Sequence, residues 1–294
     1  TATVLSGATN HGQGHETVFK QLVCDRLGLD FDDVHYGQGD TDIVPFGQGT
    51  GGSRSATIGG SALLMASDKI IDKASRIAAH LMEAAVDDIE FSEGVFAIAG
   101  TDRQVTIVEV AKAAASPASL PAGMEPGLTA QAVYTAVDQN YPNGCHVVEV
   151  EIDRETGVVE VVGYNVVDDV GTIMNPMLLK GQIHGGVGQG LGQALMEDMR
   201  YDPDSGQNIT SSFMDYCLPR ADDFPMIEVK SNGVPTKTNP LGVKGAGEAG
   251  TVGSLSAGTN AIVDALSQFG IEHVDTPCTP FKVWKAIHDA QAAA

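Results

Sequence analysis

The spacing of apolar residues changes several times along this 294-residue chain, and each change predicts an element. Residues 1 to 60 read as short strands joined by glycine-rich loops, starting with Ala2-Thr3-Val4-Leu5. From Ser61 to Val86 apolar residues return at helical spacing, with Leu63, Leu64, Ile70, Ile71, Ala74, Ile77, Ala78 and Leu81 on one face. Lys69, Asp72, Lys73 and Arg76 fall on the other face, so a long amphipathic helix is expected. Asp88 to Ile98 alternates about Glu93-Gly94 and predicts a hairpin. Thr106 to Ala114 predicts a short helix with Thr106 as its N-cap.

Pro117, Pro121 and Pro126 make the stretch from Ala115 to Gly127 a surface linker. Strand patterning resumes at His146–Ile152 and Val158–Tyr164, flanking the turn Asp153-Arg154-Glu155-Thr156-Gly157. A helix is expected from Pro176 to Met199, because Asn175 can cap it and proline suits the first helical position. Another is expected from Ser256 to Phe269, with Gly270 as its C-cap. Strands and helices mix without regular βαβ alternation, which predicts an α+β fold. Two α+β subdomains, about 1–125 and 126–294, are a possible division.

Charge removes some functions. With 17 Lys and Arg against 38 Asp and Glu, the net charge is −21. Nucleic acid is therefore not an expected partner, since holding phosphates electrostatically needs clustered cations. No apolar run approaches the roughly 20 residues of a membrane span. Cys24, Cys145, Cys217 and Cys278 are widely spaced, with no CxxC pair, so a reduced, cytoplasmic setting is the default. The 35 glycines change the picture more, being about 12% of the chain against a usual ~7%.

Many of them fall in four segments: His11–Thr17, Gly47–Ser55, Gly181–Gly190 and Gly242–Glu248. Glycine-rich backbone approaches a ligand closely and turns N–H groups toward an anion, and a following helix N-terminus adds to the attraction. Gln, Ser, Lys and Arg within these segments supply directional donors, a set suited to a large phosphate-bearing cofactor. Each segment taken singly is better explained by tight turns and helix contacts, whereas four together, all carrying Gln, Ser, Lys or Arg, favour a ligand. Gly47-x-Gly49-x-Gly51 is not a dinucleotide fingerprint, and no Lys-Ser or Lys-Thr follows Gly247, so a P-loop is absent. His15-Glu16 begins like a zincin motif, but Phe19 stands where the second His belongs. No G-x-S-x-G elbow occurs.

Glu248, between Gly247 and Ala249, is the candidate general base: small apolar neighbours are expected to desolvate it. Its alternative role is to cap the helix that follows. Lys244 is either a solvated cation or a cofactor contact. His15 and His184 lie in glycine-rich segments and are candidate donors, whereas His35, His80, His146, His273 and His288 have no partner at ligand spacing. Asp168-Asp169 could hold a ligand hydroxyl or amine at a strand end, or serve a turn.

In order along the chain, GQGHET, GTGGSRS, VDDVGTIMNP, GQIHGGVGQGLGQALMED, NPLGVKGAGEAG and HVDTPCTPFKVWKAI resemble the C-terminal half of the molybdopterin-binding large subunit of the xanthine dehydrogenase and aldehyde oxidase family, most closely its carbon monoxide dehydrogenase type. The resemblance implies a molybdenum hydroxylase, an oxidoreductase holding molybdopterin cytosine dinucleotide whose molybdenum carries oxo, sulfido and hydroxyl ligands. It implies Glu248 as catalytic base toward an aldehyde, an N-heterocycle or a CO-like substrate. Electrons would leave through an iron–sulfur small subunit to an FAD medium subunit. Carried over by position, Gly12, Gln13, Gly14 and His15 would contact the pterin and its dinucleotide extension, and Gly51, Gly52, Ser53, Arg54 and Ser55 would cradle phosphates. Asp169 would hold part of the nucleotide tail, Gln182 would approach the apical metal ligand, and Lys244 and Gly245 would border the pterin. No protein side chain is implied as a metal ligand. The chain is shorter than a whole large subunit, so its further expected partner is that subunit's N-terminal half, which carries the substrate-selecting residues. A non-catalytic cofactor-binding or assembly module with the same fold is the alternative.

Overall fold

A computed structural model describes residues 1–44 and 46–293. The chain divides into two compact units, Thr1–Gln139 with Lys237–Val243, and Asn140–Thr236 with Lys244–Ala294. Each has its own apolar core.

In the first unit, strand β1 (Ala2–Ser6) leads through a loop into helix α1 (His15–Leu27), and β2 (Val34–Gln38) returns parallel to β1 with Val4 opposite Tyr36. Helix α1 corrects the expectation of strands and loops alone over the first 60 residues. Its buried Phe19, Val23, Cys24 and Leu27 lie at helical spacing, but the polar, glycine-flanked start obscures the period. Helix α2 (Ser61–Leu81) buries Ile71, Ala74, Ile77 and Ala78. It ends five residues short of the expected Val86, and a five-residue π-turn, Ala56–Gly60, precedes it. A three-stranded antiparallel meander follows: β3 (Ile89–Ser92), β4 (Val95–Ile98) and β5 (Gln104–Thr106). Helix α3 (Ile107–Ala114) starts where expected, because Thr106 Oγ1 accepts from Glu109 N at 3.2 Å while Glu109 Oε2 accepts from Thr106 N at 2.8 Å. The proline-rich linker is held to α2, with Lys73 Nζ donating to the carbonyls of Glu125, at 3.0 Å, and Gly127, at 2.5 Å.

In the second unit, β6 (Asn143–Ile152) and β7 (Val159–Asp169) pair antiparallel, and β8 (Glu228–Ser231) adds parallel to β7. Helix α4 (Pro176–Leu195) opens as the sequence predicts, Asn175 Oδ1 accepting from Leu178 N at 3.0 Å. Helix α5 (Ala249–Leu266) starts seven residues before the expected Ser256. Helix α6 (Pro280–Ala293) had no clear signal in the pattern. Val161, Tyr164 and Val166 of β7 face Ile183, Val187 and Leu191 of α4, Ile262 and Leu266 of α5, and Val283 and Ile287 of α6. Each such large apolar side chain contributes about 1.5–3 kcal/mol when fully buried. Sheets of two, three and three strands with packed helices make the fold α+β, as expected.

The α4–α5 contact determines where the second unit's candidate residues stand. The two helices run in the same direction, Gly186 against Gly250, Gly190 against Ser254, and Leu191 against Gly258. A Cβ on Gly250 would lie 2.5 Å from the carbonyl oxygen of Ile183, so the backbones meet with no side chain between them.

Candidate functional site

The first unit brings the first two glycine-rich segments together. Asn10 Oδ1 accepts from the N–H groups of Gly12 at 3.1 Å and Gly14 at 3.2 Å, while Asn10 N donates to Gln38 Oε1 at 2.9 Å. Gln13 Oε1 accepts from His11 N. Gly49 N donates to Gly7 O at 3.2 Å, bringing the second segment beside the exit of β1. Thr50 and Ser55 share a hydroxyl hydrogen bond of 2.6 Å. Asn10 was not singled out in the sequence; an Asx residue two positions before a glycine in a loop is the signal that would have found it.

Three buried polar atoms here have no hydrogen-bond partner: His15 Nδ1, Thr57 Oγ1 and Ser61 Oγ. Leaving such a group unsatisfied costs about 1–3 kcal/mol. His15 opens α1 and stacks on Phe19, with ring centroids 5.4 Å apart; burial first, and His11 second, lower its pKa and favour the neutral imidazole. Thr57 lies within the π-turn and Ser61 directly follows it; such a local underwinding is frequent at functional sites. The turn at Gly52-Ser53 has φ of +59° and +52°, and a Cβ at Gly51 or Gly52 would meet nothing within 4 Å. A non-glycine residue at positive φ is a strained choice. Open loop backbone, unpartnered buried donors and the start of a 13-residue helix fit a phosphate-bearing ligand.

In the second unit the two aspartates at the end of β7 point to opposite faces, as strand alternation requires. Asp168 is 3% exposed, with Oδ1 at 3.5 Å from His146 Nε2 and Oδ2 without a partner. His146 Nδ1 and Tyr164 Oη are 2.7 Å apart, and burial, with Asp168 nearby, pushes the Tyr164 phenol well above its ordinary pKa. Asp169 has protein partners on both oxygens: Oδ1 accepts from Gly171 N at 2.8 Å and Val234 N at 2.9 Å, and Oδ2 from Lys244 Nζ at 2.5 Å. Burial opposes its ionisation, but the Lys244 hydrogen bond and charge and the two N–H groups together hold its carboxyl below the usual range. Lys244 N also donates to Val170 O at 2.8 Å. Asp169 and Lys244, two separate candidates in the sequence, are thus one ion pair.

Gln182 lies in the second turn of α4, directly before Ile183, whose carbonyl meets Gly250. Glu248 occupies the N-cap of α5, two residues before Gly250. The close parallel packing therefore places Gln182 and Glu248 at the same end of the helix pair, with Lys244 and Gly245 in the loop that enters α5. Glu248 is exposed, so the desolvated setting expected from its neighbours is corrected: glycine and alanine are too small to cover a glutamate. Its side chain makes no capping hydrogen bond, although its carbonyl accepts from Val252 N at 3.1 Å. His184 Nε2 lies 3.1 Å from the carbonyl of Ile227. Among the described residues no three His, Cys, Asp or Glu side chains group as a metal site, and no helix is long and apolar enough to cross a membrane.

The chain belongs to the molybdopterin cofactor-binding domain family, whose model matches residues 1–225. It is 37% identical to the carbon monoxide dehydrogenase large chain of Hydrogenophaga pseudoflava, over 99% of this chain and 36% of that one. A solved structure of CO dehydrogenase from Oligotropha carboxidovorans matches 99% of the chain and 36% of its own, at 35% identity and a TM-score of 0.92. Quinoline 2-oxidoreductase from Pseudomonas putida 86 matches at 36% identity and a TM-score of 0.89, over 98% of this chain and 36% of that one. The chain thus spans about a third of the length of these relatives.

Proposed function

We propose that this chain is the C-terminal cofactor-binding region of the large subunit of a molybdenum hydroxylase, holding molybdopterin cytosine dinucleotide. The observation that supports the reading is the glycine-packed helix pair, in which Gln182 of α4 precedes by one residue the carbonyl that meets Gly250, and Glu248 precedes Gly250 by two. When bound, the molybdenum–pterin group supplies a two-electron oxidising centre. Gln13 and the neutral His15 would hold its polar edge, on a loop whose Gly12 and Gly14 are fixed by their N–H groups donating to Asn10 Oδ1. Gly51, Gly52, Ser53, Arg54 and Ser55 receive phosphate through backbone and side-chain donors, and Thr57 and Ser61 supply hydroxyls that have no protein acceptor.

Gln182 would orient the bound group through its amide. Lys244 and Gly245 border the pterin, with Asp169 entering the set through Lys244. Glu248 takes the proton from the attacking oxygen nucleophile, as a general base within hydrogen-bond reach would. The substrate is a small electrophilic carbon compound: an aldehyde, an N-heterocycle or a CO-like molecule. Relatives that are named for carbon monoxide and for quinoline support that range. Electrons pass to iron–sulfur and FAD groups on partner subunits, and the remainder of the large subunit completes the substrate pocket.

The test is Glu248→Gln in the full-length complex. Turnover is expected to be lost while molybdenum and pterin contents stay near wild type. A variant turning over near the wild-type rate would remove Glu248 from the mechanism, whereas a stable solitary monomer that copurifies with no iron–sulfur or flavin subunit would favour a non-catalytic assembly module with the same fold.

A further inference from the structure

The loop from Lys244 to Glu248 is fastened at both ends within the second unit. At its far end, α5 is pressed against α4 through Gly250 and Gly186, which leaves the start of α5 little freedom to slide. At its near end, Lys244 is attached twice to the end of β7, by its N–H to the carbonyl of Val170 at 2.8 Å and by its ammonium to Asp169 Oδ2 at 2.5 Å. Asp169 is itself held by the N–H groups of Gly171 and Val234. The two charged side chains are 14% and 12% exposed for Lys244 and Asp169, so their pairing is shielded from solvent well beyond that of a surface ion pair. Glu248 is only four residues beyond Lys244, at the first point where the chain becomes helical.

We propose that Asp169 is a positioning residue that acts through Lys244 on the loop carrying Glu248. This inference rests on the reading of Glu248 as the base. Asp169 touches neither substrate nor cofactor in this account. Its carboxylate instead immobilises the lysine from which the loop departs, and the pair as a unit determines where the Glu248 carboxylate stands. A charged ligand at Asp169 is not needed, because three protein donors already satisfy that carboxylate.

The experiment is a double-mutant cycle in the full-length protein within its complex, using Asp169→Asn, Lys244→Met and both together. Asparagine keeps an oxygen for the N–H groups of Gly171 and Val234 and removes only the charge that pairs with Lys244. Hydrogen exchange of peptides covering residues 244–252 gives a readout independent of turnover. Each single variant is expected to speed exchange there about tenfold, and the double variant by no more than either single one, since coupled residues are non-additive. Asp169→Asn is further expected to lower kcat with KM and pterin content nearly unchanged. Lys244→Arg, which keeps the charge, is expected to restore protection that Lys244→Met loses. Unchanged exchange in Asp169→Asn, additive effects in the double variant, or loss of pterin from Asp169→Asn would each overturn the proposal. An active Glu248→Gln variant would instead overturn the catalytic reading, and leave the loop measurements to stand or fall separately.

Discussion

Two glycines of the same helix should respond to alanine with opposite signs. A Cβ on Gly186 would stand 2.9 Å from Gly250 Cα, 2.9 Å from Thr251 N and 3.1 Å from Gly250 C. Relaxed carbon contacts lie at about 3.5–4.0 Å. All three obstructing atoms are backbone, so no rotamer change relieves the clash, and α5 must move away from α4. Overpacking of this kind costs about 1–3 kcal/mol. Alanine returns roughly 0.5–1 kcal/mol of helix preference over glycine. Taking the middle of each range, a net loss of about 1 kcal/mol is expected for Gly186→Ala. Gly188, two residues further on, has nothing within 4 Å of its Cβ position, so Gly188→Ala should gain roughly 0.5–1 kcal/mol. Urea unfolding followed by fluorescence of Trp284, the single tryptophan of the chain and a residue of α6 in the same unit, reads both changes. Equal midpoints for the two variants, or a Gly186→Ala chain as stable as wild type, would refute the account of the helix pair.

Other expectations test separate parts. Thr57→Val should be neutral or stabilising by up to about 1 kcal/mol, since the buried hydroxyl already lacks a partner, while lowering the pterin retained by the full-length protein; a loss above about 1 kcal/mol in calorimetry of the ligand-free chain would count against an orphaned donor. Thr106→Ala removes the acceptor for Glu109 N and should cost α3 about 1 kcal/mol, measurable by denaturation. The Asp169 carboxyl titrates below the ordinary aspartate value, so its contribution is complete above about pH 5 and fades as pH falls through the folded value. The stability gap between wild type and Asp169→Asn should accordingly narrow on acidification below about pH 4, and a gap that widened there would invert the sign of the argument.

Local signals in the sequence carried over well wherever an element is defined by its own residues. Thr106 and Asn175 cap α3 and α4 because their oxygens reach an N–H only three residues away. The hairpin at Glu93-Gly94 and the amphipathic face of α2 are likewise written in adjacent residues. Helix α1 escapes the pattern because its first turn opens on the polar run His15-Glu16-Thr17 rather than an apolar face, and α5 starts earlier than the pattern predicts because its first two turns are almost all small residues. In α5 the missing side chains are the packing surface itself: glycine reads as a helix breaker along the chain but as a seam between helices in space.

The candidate site shows the same division. Residue types alone determined that the chain carries glycine-rich, donor-bearing loops and a carboxylate in K-G-x-G-E, enough to identify a family, because such chemistry depends on spacing over a few positions. Only the tertiary structure decided how those residues are used. It paired Asp169 with Lys244 across 75 positions, buried Asp168 against His146, exposed Glu248 and brought Gln182 to the same helix end. Each of those outcomes follows from long-range packing, of strand face, helix seam and ion pair, whose energies depend on which surfaces meet and leave no periodic trace in the order of the residues.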